Sequence, residues 1–302
     1  MRLSLWTNLA QPFASVVEVA RHAEATGWDG VYVADHFMGD GGGFGQVEAP
    51  MLEATATLAA LATATDRVRL GSLVLSATYR HPAVLAAWAS TVDHASEGRL
   101  LLGLGAGWQE NEHEQYGLVL GSPGERISRF DEYCTAVNGL LRQHTTDLDG
   151  SWYQLTKAIN EPKPVQTPLP LLIGGKGDRM LGLVARHADE WNHWSAPDTY
   201  PERAAALDAA CERLDRDPST IARSTQALVF LTDDRDRAAQ FVAGAAPRAA
   251  VAGPAEVFAE ALATWADHGV DEVIVPDFVL GSGARRTDAL DSLHAAVADL
   301  GL

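Results

Sequence analysis

Short apolar runs alternate with amphipathic stretches along almost the whole chain, and the alternation predicts a strand followed by a helix, many times over. Strand-like runs fall at 2–8, 30–34, 68–75 and 100–104, with helix-like stretches near 13–26, 51–64 and 83–95 between them. Further strands are predicted at 171–173, 189–194, 227–231 and 272–275, which brings the count to about eight. Helical phase is plain in Ile127, Phe130, Cys134, Val137 and Leu141, and again in Val257, Phe258, Ala261, Leu262 and Trp265. Spacings of three and four lay each set on one face. The strands are apolar without a polar alternation, which suits parallel strands covered by helices on both sides.

Eight strand–helix units in 302 residues favour an α/β fold closed into a (β/α)8 TIM barrel over an open doubly wound sheet. No Gly-x-Gly-x-x-Gly follows the first strand, as a dinucleotide-binding sheet would want. The whole chain, 1–302, reads as one barrel domain without an internal repeat. Three connections exceed the usual few residues: 35–50 with Gly-Gly-Gly at 41–43, 105–122, and 145–169 with prolines at 162, 164 and 168 and Pro170 just beyond. The first two follow strand ends, where barrel active sites lie. The third reads as an excursion before the fifth strand, with a hairpin around Trp152 and Tyr153.

Charge narrows the partners. Lys and Arg total 23 against 40 Asp and Glu, a formal charge of −17, so the phosphates of a nucleic acid or an anionic membrane surface are repelled at long range. An anionic ligand must then be held locally, by backbone dipoles and a few cations. The two cysteines, Cys134 and Cys211, have neither disulfide nor metal-ligand spacing and read as buried thiols. The N-terminal Met-Arg-Leu-Ser-Leu-Trp-Thr-Asn reads as a strand rather than a signal core, and no run of about 18 apolar residues occurs, which predicts a cytoplasmic protein.

Residues 170–194 carry the strongest chemical signal: strand, glycine turn, helix and strand in one short run. Gly174, Gly175 and Gly177 let backbone approach a ligand, and the helix that follows offers unpaired N–H groups to an anion, a phosphate cradle; as bare punctuation the glycines would mean only a turn. Asp35 and His36 close the second strand, so they either sit at the catalytic rim, where His36 can exchange a proton near neutral pH, or cap a turn and fill a loop. Ser76 ends the third strand as a candidate hydrogen-bonder, ahead of Arg80-His81-Pro82, where Pro82 suits a first helical turn. Gly103, Gly105 and Gly107 around Ala106, followed by Trp108, leave room for a flat ring against the backbone. Glu110, Glu112 and Glu114 around Asn111 and His113 offer carboxylates, although a first helical turn favours them anyway, and no motif supports a metal. Asn192 and His193 lie between Trp191 and Trp194, which either wall a pocket or cover the barrel mouth, and Asp277 is a weaker candidate of the same kind.

Taken together, these segments resemble the luciferase-like monooxygenase superfamily, and in particular its actinobacterial deazaflavin branch, whose members use coenzyme F420. The resemblance rests on Arg-His-Ala-Glu-Ala-Thr-Gly-Trp-Asp-Gly-Val-Tyr-Val-Ala-Asp-His-Phe at 21–37, Arg-Leu-Gly-Ser-Leu-Val-Leu at 69–75 with Arg-His-Pro at 80–82, and Gly-Ala-Gly-Trp-x-x-x-Glu at 105–112. Ile-Gly-Gly-Lys-Gly at 173–177, Ala-Asp-Glu-Trp-Asn at 188–192 and Gly-Pro-Ala-Glu-Val at 253–257 complete it, in order along almost the whole chain.

The resemblance implies a (β/α)8 barrel that binds a deazaflavin or flavin at the carboxyl ends of its strands. It implies that His36 is the catalytic proton-transfer residue and that Asp35 touches the cofactor. It also implies a non-prolyl cis peptide at Leu73–Val74 behind the ring, ring- and tail-binding positions at Ser76, Ala106, Gly107 and Asn111, and a phosphate loop of Gly174, Gly175, Lys176, Gly177 and Asp178. Trp6, Trp108, Glu112, Trp191, Asn192 and Trp194 are candidates for the substrate pocket, whose tryptophans suit an apolar or aromatic partner. Where the superfamily's sugar-phosphate dehydrogenases carry a glutamate that protonates the ring, this chain has Trp108, so that chemistry does not carry over; Glu112, a helical turn on, is the nearest substitute. The function implied is hydride transfer between F420 and a small organic substrate by a homodimer. Two alternatives share the fold: a monooxygenase using reduced FMN and oxygen, and a cofactor-binding barrel without catalysis.

Overall fold

The computed structural model of the chain describes residues 1–42, 45–298 and 300. Gly43, the last of the glycines at 41–43, lies outside them. In chain order the strands are β1 (Arg2–Trp6), β2 (Gly30–Val33), β3 (Arg69–Ser72), β4 (Leu75–Ser76), β5 (Leu100–Gly105), β6 (Thr146–Asp149), β7 (Gln154–Ala158), β8 (Leu171–Gly174), β9 (Glu190–Trp194), β10 (Ala222–Gln226), β11 (Leu228–Leu231), β12 (Ala250–Gly253) and β13 (Glu272–Pro276). The helices are α1 (Phe13–Thr26), α2 (Ala54–Ala64), α3 (Pro82–Ala95), α4 (Glu110–Tyr116), α5 (Pro123–Arg142), α6 (Asp178–His187), α7 (Tyr200–Glu212), α8 (Arg235–Ala245), α9 (Ala255–Asp267) and α10 (Ala284–Ala298).

Strands β3, β2, β1, β13, β10, β9, β8 and β5 lie side by side in that order, all parallel. Leu70 of β3 pairs with Leu100 of β5, which closes the sheet on itself, and β4 continues the β3 stave along β5. Among the described residues this is the predicted eight-staved (β/α)8 barrel. Local signals start its helices: Pro82 occupies the first turn of α3, and Ser122 with Glu125 forms a reciprocal capping box at α5. Phe130, Cys134, Val137 and Leu141 of α5 are buried, as their phase requires. No helix among the described residues is long and apolar enough to cross a membrane.

The excursion at 145–169 holds the expected hairpin, β6 against β7, and Glu132 of α5 accepts the N–H groups of Ser151, Trp152 and Tyr153 at its turn. The seventh stave departs from expectation. The apolar run at 227–231 reads as a barrel strand, but the barrel uses the preceding Ala-Arg-Ser-Thr-Gln of β10, while β11 pairs with β12 outside it. Two polar side chains of β10 bond to β9: Ser224 accepts from Asn192 at 2.9 Å, and Thr225 donates to the His193 carbonyl at 2.9 Å. An apolar pattern is therefore absent where the stave runs.

The two mouths of the barrel differ. At the amino ends of the staves, buried Glu272 accepts from Ser4 (2.6 Å), Tyr32 (2.9 Å) and Arg69 (3.0 Å), and Arg69 also binds Glu190 (2.5 Å). This ionic plug closes that end. Above it Tyr32, Leu101, Leu172 and Ile274 fill the interior, and Trp6 and Leu73 reach toward the open carboxyl ends.

Candidate functional site

A cavity of about 500 Å³ occupies the open mouth. Its first wall comes from the end of β2. Asp35 is buried and its carboxylate is fully engaged: Arg80 donates two hydrogen bonds, at 2.6 and 2.8 Å, and the Ser76 N–H a third at 2.9 Å. Arg80 also grips Glu53, which caps α2. His36 follows, with Nδ1 at 3.0 Å from Glu112 Oε1 and its ring edge-on to Trp108. Glu112, from the first turn of α4, is wholly buried and also accepts the Phe37 N–H (2.9 Å) and the Tyr79 hydroxyl. Burial alone would raise its carboxyl, but the hydrogen bonds from His36, Tyr79 and Phe37 outweigh that and hold it below the ordinary carboxylate range. Glu112 is thus an anion, and the proton shared between it and His36 Nδ1 is donated by the imidazole.

The floor is the break between β3 and β4, where the Leu73–Val74 peptide is cis, as the resemblance implies. The glycines around it serve differently from the sequence reading, which reserved their space for a ligand. A Cβ at Gly103 would lie 1.9 Å from the Ser72 carbonyl oxygen, and one at Gly105 would lie 2.6 Å from Val74 Cγ2. The vacant space at these glycines holds the bulged stave, and Val74 and Leu73 are what face the cavity. At Gly107, φ is +86°, and a Cβ would meet the Ser76 and Thr78 hydroxyls at 2.9 Å. Those hydroxyls form a chain: His113 Nδ1 donates to the Gln109 carbonyl (2.6 Å), its Nε2 is hydrogen-bonded to the Thr78 hydroxyl (2.7 Å), and Thr78 to the Ser76 hydroxyl (2.6 Å).

The far end is the glycine loop after β8. Gly174, Gly175 and Lys176 line the cavity, Gly175 adopts φ +141°, and Trp191 Nε1 donates to its carbonyl at 2.7 Å. Gly177 caps α6 with no side-chain hydrogen bond, so the first N–H groups of this 10-residue helix have no capping side chain. Trp6 and Trp194 form the inner wall, 5.8 Å apart. His193 stacks between Trp191 (4.4 Å) and Tyr200, and burial, with Lys176 and Arg203 adding to it, pushes its imidazole down to about 4, so it is neutral.

Sixteen of the residues singled out from sequence line the cavity: Asp35, His36, Leu73, Val74, Ser76, Gly105, Ala106, Gly107, Gly174, Gly175 and Lys176, together with Trp6, Trp108, Asn192, His193 and Trp194. Of the site residues that the resemblance implies, five do not. Trp191 is buried behind the glycine loop and supports it rather than walling the pocket. Glu112 lies behind His36, Asn111 donates to the Gly39 carbonyl (3.0 Å) and pins the 35–50 loop, and Gly177 and Asp178 are exposed beyond the lining residues, with Asp178 3.7 Å from Arg203. Asp277 is likewise elsewhere, bound to Thr7, Asn8 and Arg286. Tyr79, Met180, Gln226, Pro247 and Arg248 complete the lining. Tyr79 was within reach of the sequence, three residues after Ser76, whereas Pro247 and Arg248 follow α8 with no local signal.

A family model described as luciferase-like monooxygenase matches residues 1–268. The F420-dependent glucose-6-phosphate dehydrogenase of Microbacterium testaceum is 32% identical over 72% of this chain and 64% of its own length. The pyrimidine monooxygenase RutA of Caulobacter sp. is 30% identical over 75% of this chain and 64% of its own. The matched stretch makes up 49% to 66% of the length of such curated relatives. Among solved structures, an F420-dependent secondary alcohol dehydrogenase in complex with an F420–acetone adduct superposes with a TM-score of 0.85 at 19% identity, covering 98% of both chains, which supports the barrel. With a family model covering most of its length and a barrel mouth built from the motifs of the resemblance, the chain belongs to the luciferase-like monooxygenase family.

Proposed function

We propose that the protein is an oxidoreductase that transfers a hydride between coenzyme F420 and a small organic substrate, with His36 moving the accompanying proton. One observation carries the reading: a single cavity has the His36–Glu112 pair on one wall, the Val74 bulge as its floor and an uncapped helix start beside Lys176 at its far end. Those parts fit a planar ring with an anionic tail. Val74, Leu73 and Ala106 offer an apolar bed for the ring, and the Gly174–Gly177 loop with Lys176 offers local positive potential in a chain of net charge −17.

When bound, the deazaflavin supplies a two-electron hydride carrier. The chain supplies the rest. Asp35, locked to Arg80, fixes the stave end against the ring position. Glu112 holds the Nδ1 proton of His36, so Nε2 takes the hydroxyl proton of an alcohol as its C–H hydride departs, or returns it to the carbonyl oxygen in reduction. Trp6, Trp194 and Trp108 favour an apolar alcohol or carbonyl compound over a sugar phosphate.

A second reading, a monooxygenase of reduced FMN and oxygen, draws on the relative RutA. Titrating the purified protein with F420 and with FMN separates them: tight F420 binding is expected, and tight FMN binding with none for F420 reverses the order. His36→Ala should lower turnover by about 10²- to 10⁴-fold with cofactor affinity retained. Unchanged turnover removes His36 from the chemistry, and binding without any turnover in the parent protein leaves a non-catalytic barrel. The homodimer belongs to the same reading, and light scattering should return twice the 32.2 kDa chain mass.

A further inference from the structure

Among the described residues, Glu112 Oε1 receives two donors, His36 Nδ1 at 3.0 Å and the Tyr79 hydroxyl, while Oε2 receives the Phe37 N–H. Both donors on Oε1 belong to side chains that line the cavity. The Tyr79 ring is held between Phe37 (4.7 Å) and His113 (5.1 Å), so its hydroxyl is directed at the carboxylate by packing. A donor to a carboxylate lowers its basicity. Each donor on Oε1 therefore weakens the hold of that oxygen on the other.

We infer that Tyr79 is a positioning residue that acts through Glu112 to set how tightly His36 keeps its proton. This deepens the proposed function and rests on His36 as its proton carrier, but the coupling itself is a property of the free protein. Among the described residues, Asp35 and Glu53 are paired with Arg80, His113 is hydrogen-bonded at both nitrogens, and Tyr116 meets Phe37 edge-on.

Opposite shifts are expected from two near-isosteric changes. Tyr79→Phe keeps the ring and its packing but removes one donor, so Glu112 becomes a stronger acceptor and the imidazolium of His36 is favoured. Glu112→Gln keeps the shape but removes the charge, so the imidazolium is disfavoured. The measurement is a pH titration of the His36 ring signals by NMR in the unliganded protein, assigned by their loss in His36→Asn.

Tyr79→Phe should move the midpoint up by about half a pH unit, a roughly threefold gain in proton affinity. Glu112→Gln should move it down, and adding Tyr79→Phe to Glu112→Gln should have no further effect. A midpoint that stays put or falls in Tyr79→Phe overturns the inference, as does an equal Tyr79→Phe shift in both backgrounds. Should Glu112→Gln fail to fold, the single Tyr79→Phe titration still decides. Cofactor binding plays no part in this readout, so failure of the proposed function would show separately, as absence of F420 and FMN binding.

Discussion

The bulged floor makes a sharp demand on Gly105. An alanine there would place Cβ 2.6 Å from Val74 Cγ2, about 1 Å inside the separation at which carbon atoms attract. Gly105 lies at the end of β5, whose ladder with β4 holds it in place, so Val74 must yield, in the direction of the cavity or against Gly174, where its Cγ1 already lies 3.3 Å from the Cβ position. Overpacking of this kind costs about 1–3 kcal/mol of stability, and displacement of the floor should lower cofactor affinity beyond what stability alone predicts. The assay pairs urea unfolding with cofactor titration for Gly105→Ala, Val74→Ala and the double variant. Removing the Val74 methyls clears the collision, so Gly105→Ala should cost far less in the Val74→Ala background, a coupling of about 1 kcal/mol or more. Gly177→Ala, with φ −74° and nothing within 4 Å of its Cβ position, is the collision-free control and should cost only the small preference of a helix cap for glycine over alanine. Equal costs of Gly105→Ala in both backgrounds would show that Val74 does not fill the space beside that glycine.

Three further outcomes follow from the geometry. Arg80→Met strands the buried Asp35 carboxylate and should cost about 3–5 kcal/mol in urea unfolding, and Asp35→Asn in the same chain should recover part of it; no recovery refutes the pairing. His193 is held neutral in the fold with its midpoint lowered to about 4 from 6.5, so the unfolded chain binds the extra proton between those values and stability must fall as pH drops from about 6.5 toward 4. The loss reaches at most about 3 kcal/mol, and His193→Phe, which keeps the stacking, should flatten that part of the stability–pH curve. Trp191→Phe removes the 2.7 Å hydrogen bond to Gly175 and should weaken binding of a phosphate-bearing ligand about 3- to 10-fold with little effect on a ligand lacking phosphate; equal losses for both refute a role confined to the loop.

Patterning revealed most of the barrel because each ordinary stave is an apolar run and each helix an apolar stripe. It missed the seventh stave, where Ser224 bonds to Asn192 and Thr225 to the His193 carbonyl of β9, so the stave carries hydroxyls in place of an apolar run. The candidate site was legible where chemistry coincides with a strand end, as for Asp35, His36, Ser76 and Asn192. Glu112 was visible as a carboxylate, but a helical first turn places one there for its own reasons, and only the fold shows it turned toward His36. The glycines of 103–107 carry a related ambiguity, since Gly105 and Gly107 line the cavity while Gly103 and Gly105 also make room for the neighbouring stave. A missing side chain signals close approach, but a sequence does not say whether the visitor is a ligand or another strand of the same protein.

The site residues also explain one another. Asp35 and His36 leave β2 side by side, yet Asp35 is fastened to Arg80 and the Ser76 N–H after β4, while His36 is fastened to Glu112 of α4. The circuit closes twice between those segments: Tyr79, next to Arg80, donates to Glu112, and Thr78 is hydrogen-bonded to His113, one residue further along α4. Three segments far apart in sequence are therefore bound into one buried ring of hydrogen bonds, in which moving any member disturbs partners on the other two. Such a ring holds the His36 imidazole to a narrow range of positions. It also accounts for the weakness of each motif taken alone, because Asp-His at 35–36 is positioned by its bonds to 76–80 and 112–113 rather than by the pair itself.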